Sequence, residues 1–237
     1  MATTVGRTVA AVLTALATAV VVAVAVVPFL SPPWVAFEQG RAEAAAWTGF
    51  SEADLRIATD AILADLVLGP PDFDVEVAGA PVLVERERAH MRDVRGVFAA
   101  FAGLAILAAI GLVILYAGAR RLGHPERWWA AVRAGAIGLV VGVVVAGVVS
   151  IFAFDAAFEI FHQLFFPSGS YLFDPTTDRL VQLFPFAFWS ETTMALGLVI
   201  IAIAIALAVF AGPRSRRPAH EAAAAPTVPS AGPEPVA

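Results

Sequence analysis

The chain of 237 residues contains no cysteine, and that one absence removes disulfides, thiolate metal sites and cysteine nucleophiles together. A four-helix, quinone-linked disulfide oxidoreductase is excluded with them. Charge is scarce too, at 15% of residues against 59% hydrophobic, and mean hydropathy is +0.81, which argues against a water-soluble globular domain. Lysine is missing altogether and the net charge is −5. With no outward basic stripe to neutralise phosphates, nucleic acid is not an expected partner. Also absent are a Gly-x-Ser-x-Gly elbow, a phosphate loop and a zincin helix.

What is present is apolar length. A bilayer core of roughly 30 Å takes about 20 apolar residues at 1.5 Å each, and four stretches qualify, at 8–30, 97–118, 134–156 and 186–211. The composition predicts an all-α membrane protein with four transmembrane helices. The first stretch reads as a retained anchor, since it outruns a signal-peptide core and no small-x-small site precedes Pro28-Phe29-Leu30-Ser31-Pro32-Pro33. Arg7, the group Arg120, Arg121, Arg127 and Arg133, and the group Arg214, Arg216 and Arg217 fall on one side if the helices alternate. Arginines stay cytoplasmic, so both termini are expected inside, with 31–95 and 157–185 outside. One membrane domain, 1–211, is expected, followed by an Ala- and Pro-rich tail, 212–237, with too little apolar bulk to order. Trp128 and Trp129 read as interface anchors in the inner loop, beside a solvated His124.

The outer segment 31–95 is too long for a plain connection and predicts a small mixed helix and strand cap. Ser51-Glu52-Ala53-Asp54 opens a helix whose Leu55, Ala58, Ile62 and Leu66 share a face, and Gly69-Pro70-Pro71 stops it. Phe73, Val75 and Val77, then Val82-Leu83-Val84, predict two short strands. In the third span, Gly138 and Gly142 have the four-residue spacing of close helix packing.

Polar residues cluster where the third span leaves the membrane, in Phe161-His162-Gln163-Leu164-Phe165-Phe166-Pro167-Ser168-Gly169-Ser170-Tyr171-Leu172-Phe173-Asp174. Asp155, Glu159 and His162 are spaced i, i+4, i+7 and share a helix face. Acids at the edge of hydrocarbon either line a wet functional cavity or are solvated at the interface. His90 precedes the second span from the same side, with Asp93 one turn on, where it would orient the imidazole or simply belong to a juxtamembrane charge run. Glu191 interrupts the start of the fourth helix and lines the same cavity or marks the interface. Arg179, the one basic residue between 157 and 185, is suited to an acid or an anionic headgroup. His90 and His162 are 71 residues apart with no compact ligand motif, so no metal and no soluble cofactor is expected.

His90-Met91-Arg92-Asp93-Val94, Phe161-His162-Gln163-Leu164-Phe165-Phe166, Asp178-Arg179-Leu180 and Leu183-Phe184-Pro185 resemble the bacterial lipoprotein intramolecular transacylase family. The resemblance runs from the first helix to the fourth. It implies four helices with both termini inside, an outward cap and a site on the extracytoplasmic side of the bacterial cytoplasmic membrane. It also implies a reaction, in which the sn-2 acyl chain of an S-diacylglyceryl cysteine moves to that residue's own α-amine and leaves a lyso-form lipoprotein. The diacylated lipoprotein N-terminus and membrane lipid are then the partners. His90 and His162 match the family's functional histidines. From their positions in the sequence, Asp93, Asp155, Glu159, Glu191 and Arg179 are read as orienting or cavity-lining residues and Phe165, Phe166, Tyr171 and Phe173 as a substrate loop. The alternative reading is a non-catalytic accessory protein whose aromatic loop and amphipathic helix hold lipid or a partner.

Overall fold

A computed structural model describes residues 2–166 and 169–216, with side chains from residue 6 onward. The expected cytoplasmic tail beyond 216 and the turn residues Pro167 and Ser168 lie outside the described residues. Among the described residues, four helices are long and apolar enough to cross a membrane: α1 (Ala2–Val26), α5 (Glu85–Arg121), α6 (Pro125–Phe165) and α8 (Phe186–Arg214). α1 runs unbroken until a 3-10 turn over Val27–Leu30 that contains Pro28. Its buried residues Leu13, Ala17, Val21 and Ala25 recur every fourth position, a stripe that lies along one side of the helix.

The close approach between spans is made by Gly135, not by Gly138 and Gly142. A Cβ on Gly135 would lie 3.1 Å from the Thr14 carbonyl oxygen, whereas one on Gly138 or Gly142 would meet nothing within 4 Å. Thr14 Oγ1 also donates to the Ala131 carbonyl at 3.2 Å, one turn before Gly135. Four-residue spacing marks a face, but the partner helix decides which glycine on the helix is used.

α5 and α6 overrun the membrane. At about 1.5 Å per residue, their 37 and 41 residues reach about 55 and 60 Å, roughly twice the hydrocarbon thickness. The excess includes the charged start of α5, residues 85–96, and the end of α6 beyond Ala153, where φ −144° and ψ 38° break the helical path. Both extensions project from the same end of the bundle.

The cap at that end contains α2 (Pro32–Arg41), α3 (Ala44–Thr48), α4 (Glu52–Val67) and the hairpin β1 (Glu76–Val77) with β2 (Ala80–Pro81). α4 starts as the sequence predicts, with Ser51 Oγ accepting from the Asp54 N–H at 3.1 Å. The strands are shorter than predicted: Glu76 pairs with Pro81 and Val77 with Ala80. Val82 adds one further bond to the Val75 carbonyl before α5 begins at Glu85. The remaining alternating residues, Phe73, Val75, Val82 and Leu83, fill the cap core with Ile62, Met91 and, from α7 (Arg179–Leu183), Leu180 and Leu183.

Buried polar groups join cap and loop. Gln39 Nε2 donates to the Leu183 carbonyl at 2.9 Å, and its Oε1 accepts from Thr59 at 3.1 Å. Glu87, 1% exposed, accepts from the Leu180 N–H at 2.6 Å with one oxygen and from the Val84 N–H at 2.8 Å with the other. At the opposite end of the bundle, Trp128 and Trp129 pack on Tyr116, and Trp129 also meets Phe210 and the Arg214 guanidinium.

Candidate active site

His90 sits in the second turn of α5 and His162 in the last turn of α6, so the two overrunning helices each deliver one imidazole. The rings face each other at 21° with centroids 6.3 Å apart. Imidazole donors and lone pairs point along the ring planes, so at this separation a single substrate lying along the edges of the two rings can reach both. Aromatic rings wall the pair. Phe166 and Phe173 stand edge-on to His90 at 4.8 and 5.4 Å, and Phe158 and Tyr171 lie 4.0 and 5.1 Å from His162.

The two imidazoles have different surroundings. His162 Nδ1 lies 2.8 Å from the Phe158 carbonyl oxygen, which only accepts, so Nδ1 carries a hydrogen and the neutral form of the ring has its lone pair on Nε2. His90 is 6% exposed and its Nδ1 has no partner. Burial, with the nearby His162 adding to it against Asp93, pushes the His90 pKa from its usual 6.5 down to about 4. His90 is thus a neutral imidazole at pH 7. It is a weak base and an available N–H donor.

The carboxylates are not arranged as spacing alone suggests. Asp93 lies one turn from His90 on the same side of α5 but is exposed, and among the described residues no hydrogen bond joins it to the ring; its charge reaches His90 only through space. Glu159 reaches His162 indirectly. It accepts from Tyr171 Oη at 2.8 Å and Gln163 Nε2 at 2.9 Å, and these two donors hold its carboxyl below the usual range. The bond to the His162 ring comes instead from the backbone of Phe158.

Asp155 is exposed, just past the kink in α6. Phe165 is also exposed and packs on Phe161, with centroids 4.9 Å apart. Arg179 pairs with neither an acid nor the histidines; it donates to the Thr48 carbonyl and to Gln182 Oε1 and lies over the Phe50 ring. Glu191 binds Arg41 Nε at 2.5 Å, on a flank of α8 away from the pair.

A family model described as lipoprotein intramolecular transacylase Lit matches residues 7–189. The chain belongs to that family. As a member, it is a multi-pass membrane protein and a lipoprotein intramolecular transacylase. Among solved structures it is similar to the membrane-integral lipoprotein intramolecular transacylase of Bacillus cereus, at 16% identity and a TM-score of 0.73, over 89% of this chain and 95% of that one. Two single-histidine variants of the same protein, to arginine and to alanine, match at TM-scores of 0.69 and 16% identity, over 89% and 88% of this chain and 92% and 93% of theirs. No curated protein matches.

In this transacylase several residues escape a reading by residue type. The carbonyl that fixes the His162 tautomer belongs to Phe158 and carries no side-chain signal. Glu87, Glu38 and Gln39 are buried, and a signal for them does exist. Val35, Glu38, Gln39 and Ala42 follow i, i+3, i+4, i+7 along α2 and its C-cap, and Glu87 shares a face with His90 and Met91, so each polar residue stands on the buried face of its helix.

Proposed function

We propose that this chain moves the sn-2 acyl chain of an S-diacylglyceryl cysteine to the α-amine of the same residue, on the outward face of a bacterial cytoplasmic membrane. The product is a lyso-form lipoprotein. The observation that carries the reading is the facing pair of imidazoles at the cap end, just beyond the apolar spans.

The chemistry follows the two imidazole states. The attacking amine must shed a proton, and the free Nε2 lone pair of His162 accepts it. As nitrogen bonds to the sn-2 carbonyl carbon, the carbonyl oxygen gains negative charge, and the neutral His90 ring supplies an N–H to that oxygen in a site of low water content. Carrying its hydrogen on Nε2 leaves only a lone pair on the sealed Nδ1 of His90. Collapse breaks the bond between the carbonyl carbon and the sn-2 oxygen, and the proton held on His162 passes to that oxygen. One C–O bond becomes one C–N bond and no proton is gained or lost.

No enzyme nucleophile is required, because amine and ester belong to one molecule at high effective concentration. The aromatic walls from Phe166, Tyr171 and Phe173 keep lipid next to the reacting atoms and limit hydrolysis by water. The test is a rate comparison on a synthetic diacylated lipopeptide in micelles. Removing the base with His162→Gln is expected to slow conversion by about 10² to 10⁴ while the melting temperature is kept. Conversion at the unaltered rate by folded His162→Gln protein would remove His162 from the mechanism.

A further inference from the structure

A second feature stands apart from the histidines, where α2 meets the outer part of α8. Trp34 Nε1 donates to Thr192 Oγ1 at 3.3 Å and draws the two helices together. Beside that contact lies a cleft of about 450 Å3. Trp189 of α8 faces Phe158 of α6, with centroids 6.4 Å apart, whereas Glu191, Met194, Ala195 and Leu198 line the cleft. Two residues along a helix turn a side chain by about 200°. The cleft and the imidazole pair therefore occupy different flanks of α8.

The lining is graded with depth. Glu38 and Arg41 of α2 and Glu191 of α8 form the outer part, and Leu198 lies seven residues, about 10 Å, further along the apolar span. Phe37, Met194 and Leu198 are all more than half exposed. A charged rim over an apolar slot that opens sideways from a membrane helix matches an amphiphile lying parallel to that helix.

The rim sets two carboxyl groups, Glu38 and Glu191, against the single guanidinium of Arg41, which is bonded to Glu191 at 2.5 Å. Glu38 is 1% exposed and its Oε1 has no partner. Burial, then the charge of Glu191 and a hydrogen bond to it, hold the Glu38 carboxyl above its usual range. A buried acid without its own counter-charge is costly, and a cation arriving in the cleft would supply one.

We propose that this cleft binds a phospholipid whose headgroup carries a primary ammonium next to its phosphate. The ammonium meets Glu38 and Glu191, the phosphate draws on Arg41, and one acyl chain lies along Phe37, Met194 and Leu198. The site is independent of the acyl-transfer reading, which uses none of these residues.

The test is native mass spectrometry on full-length, delipidated protein titrated with phosphatidylethanolamine, phosphatidylcholine and phosphatidylglycerol of matched chains. Phosphatidylethanolamine is expected to bind at least about fivefold more tightly than the other two. Glu38→Gln, which keeps the side chain's shape, should erase that preference. Leu198→Trp, on the exposed span, should lower binding of all three lipids by filling the slot without touching the acids. Equal binding of the three headgroups, or a preference unchanged by Glu38→Gln, would overturn the proposal. Displacement of bound phosphatidylethanolamine by an equimolar diacylated lipopeptide would also overturn it and assign the cleft to the substrate's own ammonium.

Discussion

Acidifying the protein should expose the cost of keeping His90 neutral. The ring is 6% exposed between Phe166 and Phe173, and its pKa is about 4 against 6.5 in a free chain. Below pH 6.5 the unfolded chain takes up a proton that the folded chain refuses, so stability from this group is complete above 6.5. It is lost as pH falls towards 4 and falls no further below that. At about 1.4 kcal/mol per pH unit, the interval from 6.5 to about 4 amounts to about 3 kcal/mol. Carboxylates also titrate near the lower end, and His90→Gln removes only the imidazole contribution. Unfolding free energy in micelles, measured from pH 8 to pH 4 for both proteins, isolates the term. The stability difference between wild type and His90→Gln should change by about 3 kcal/mol in favour of the variant on acidification, mostly between pH 6 and 4. Two curves that stay parallel across this range would show that His90 is not buried as a neutral base.

Other expectations follow from packing and hydrogen bonding. Gly135→Leu should destabilise the bundle by about 2 kcal/mol, because its Cβ would crowd the Thr14 backbone at 3.1 Å, while Gly138→Ala should stay within about 0.5 kcal/mol, both read by thermal unfolding. Glu87→Leu leaves the Leu180 and Val84 N–H groups without their acceptor and should cost about 3 kcal/mol, with faster proteolysis of the loop after Phe166 as a local readout. Tyr171→Phe removes the donor to Glu159 and should lower turnover more than it raises KM; an unchanged turnover would show that the loop needs no such tie over His162.

Much of the frame was legible because membrane spans are written in long apolar runs. The four predicted stretches lie within α1 with its terminal turn, α5, α6 and α8. The Ser51 cap was legible for a similar reason, since its partner lies three residues away. Charged residues conceal the cap-end extensions of α5 and α6, because a hydrophobic window stops where polar residues begin although the backbone helix does not. The α6 kink at Ala153 has no proline to announce it. The histidines were found through their family motifs, but their relation to the acids was not. Helical spacing puts Asp93 beside His90 and Glu159 beside His162, but the folded chain leaves Asp93 exposed with no bond to the ring and commits Glu159 to Tyr171 and Gln163. Partners such as Arg41 with Glu191 or Glu87 with Leu180 are separated by 150 and 93 residues. A helical period reports which face a residue occupies and carries no record of what lies opposite.

The proposed reaction is a single acyl migration between two atoms of one substrate. The most direct measurement is tandem mass spectrometry of a synthetic lipopeptide whose sn-2 acyl chain carries an isotope label, incubated with the wild-type protein. The account predicts a product of unchanged mass whose N-terminal fragment carries the label in amide linkage, with a free hydroxyl at sn-2. Label remaining on glycerol, or released as free fatty acid, would contradict it.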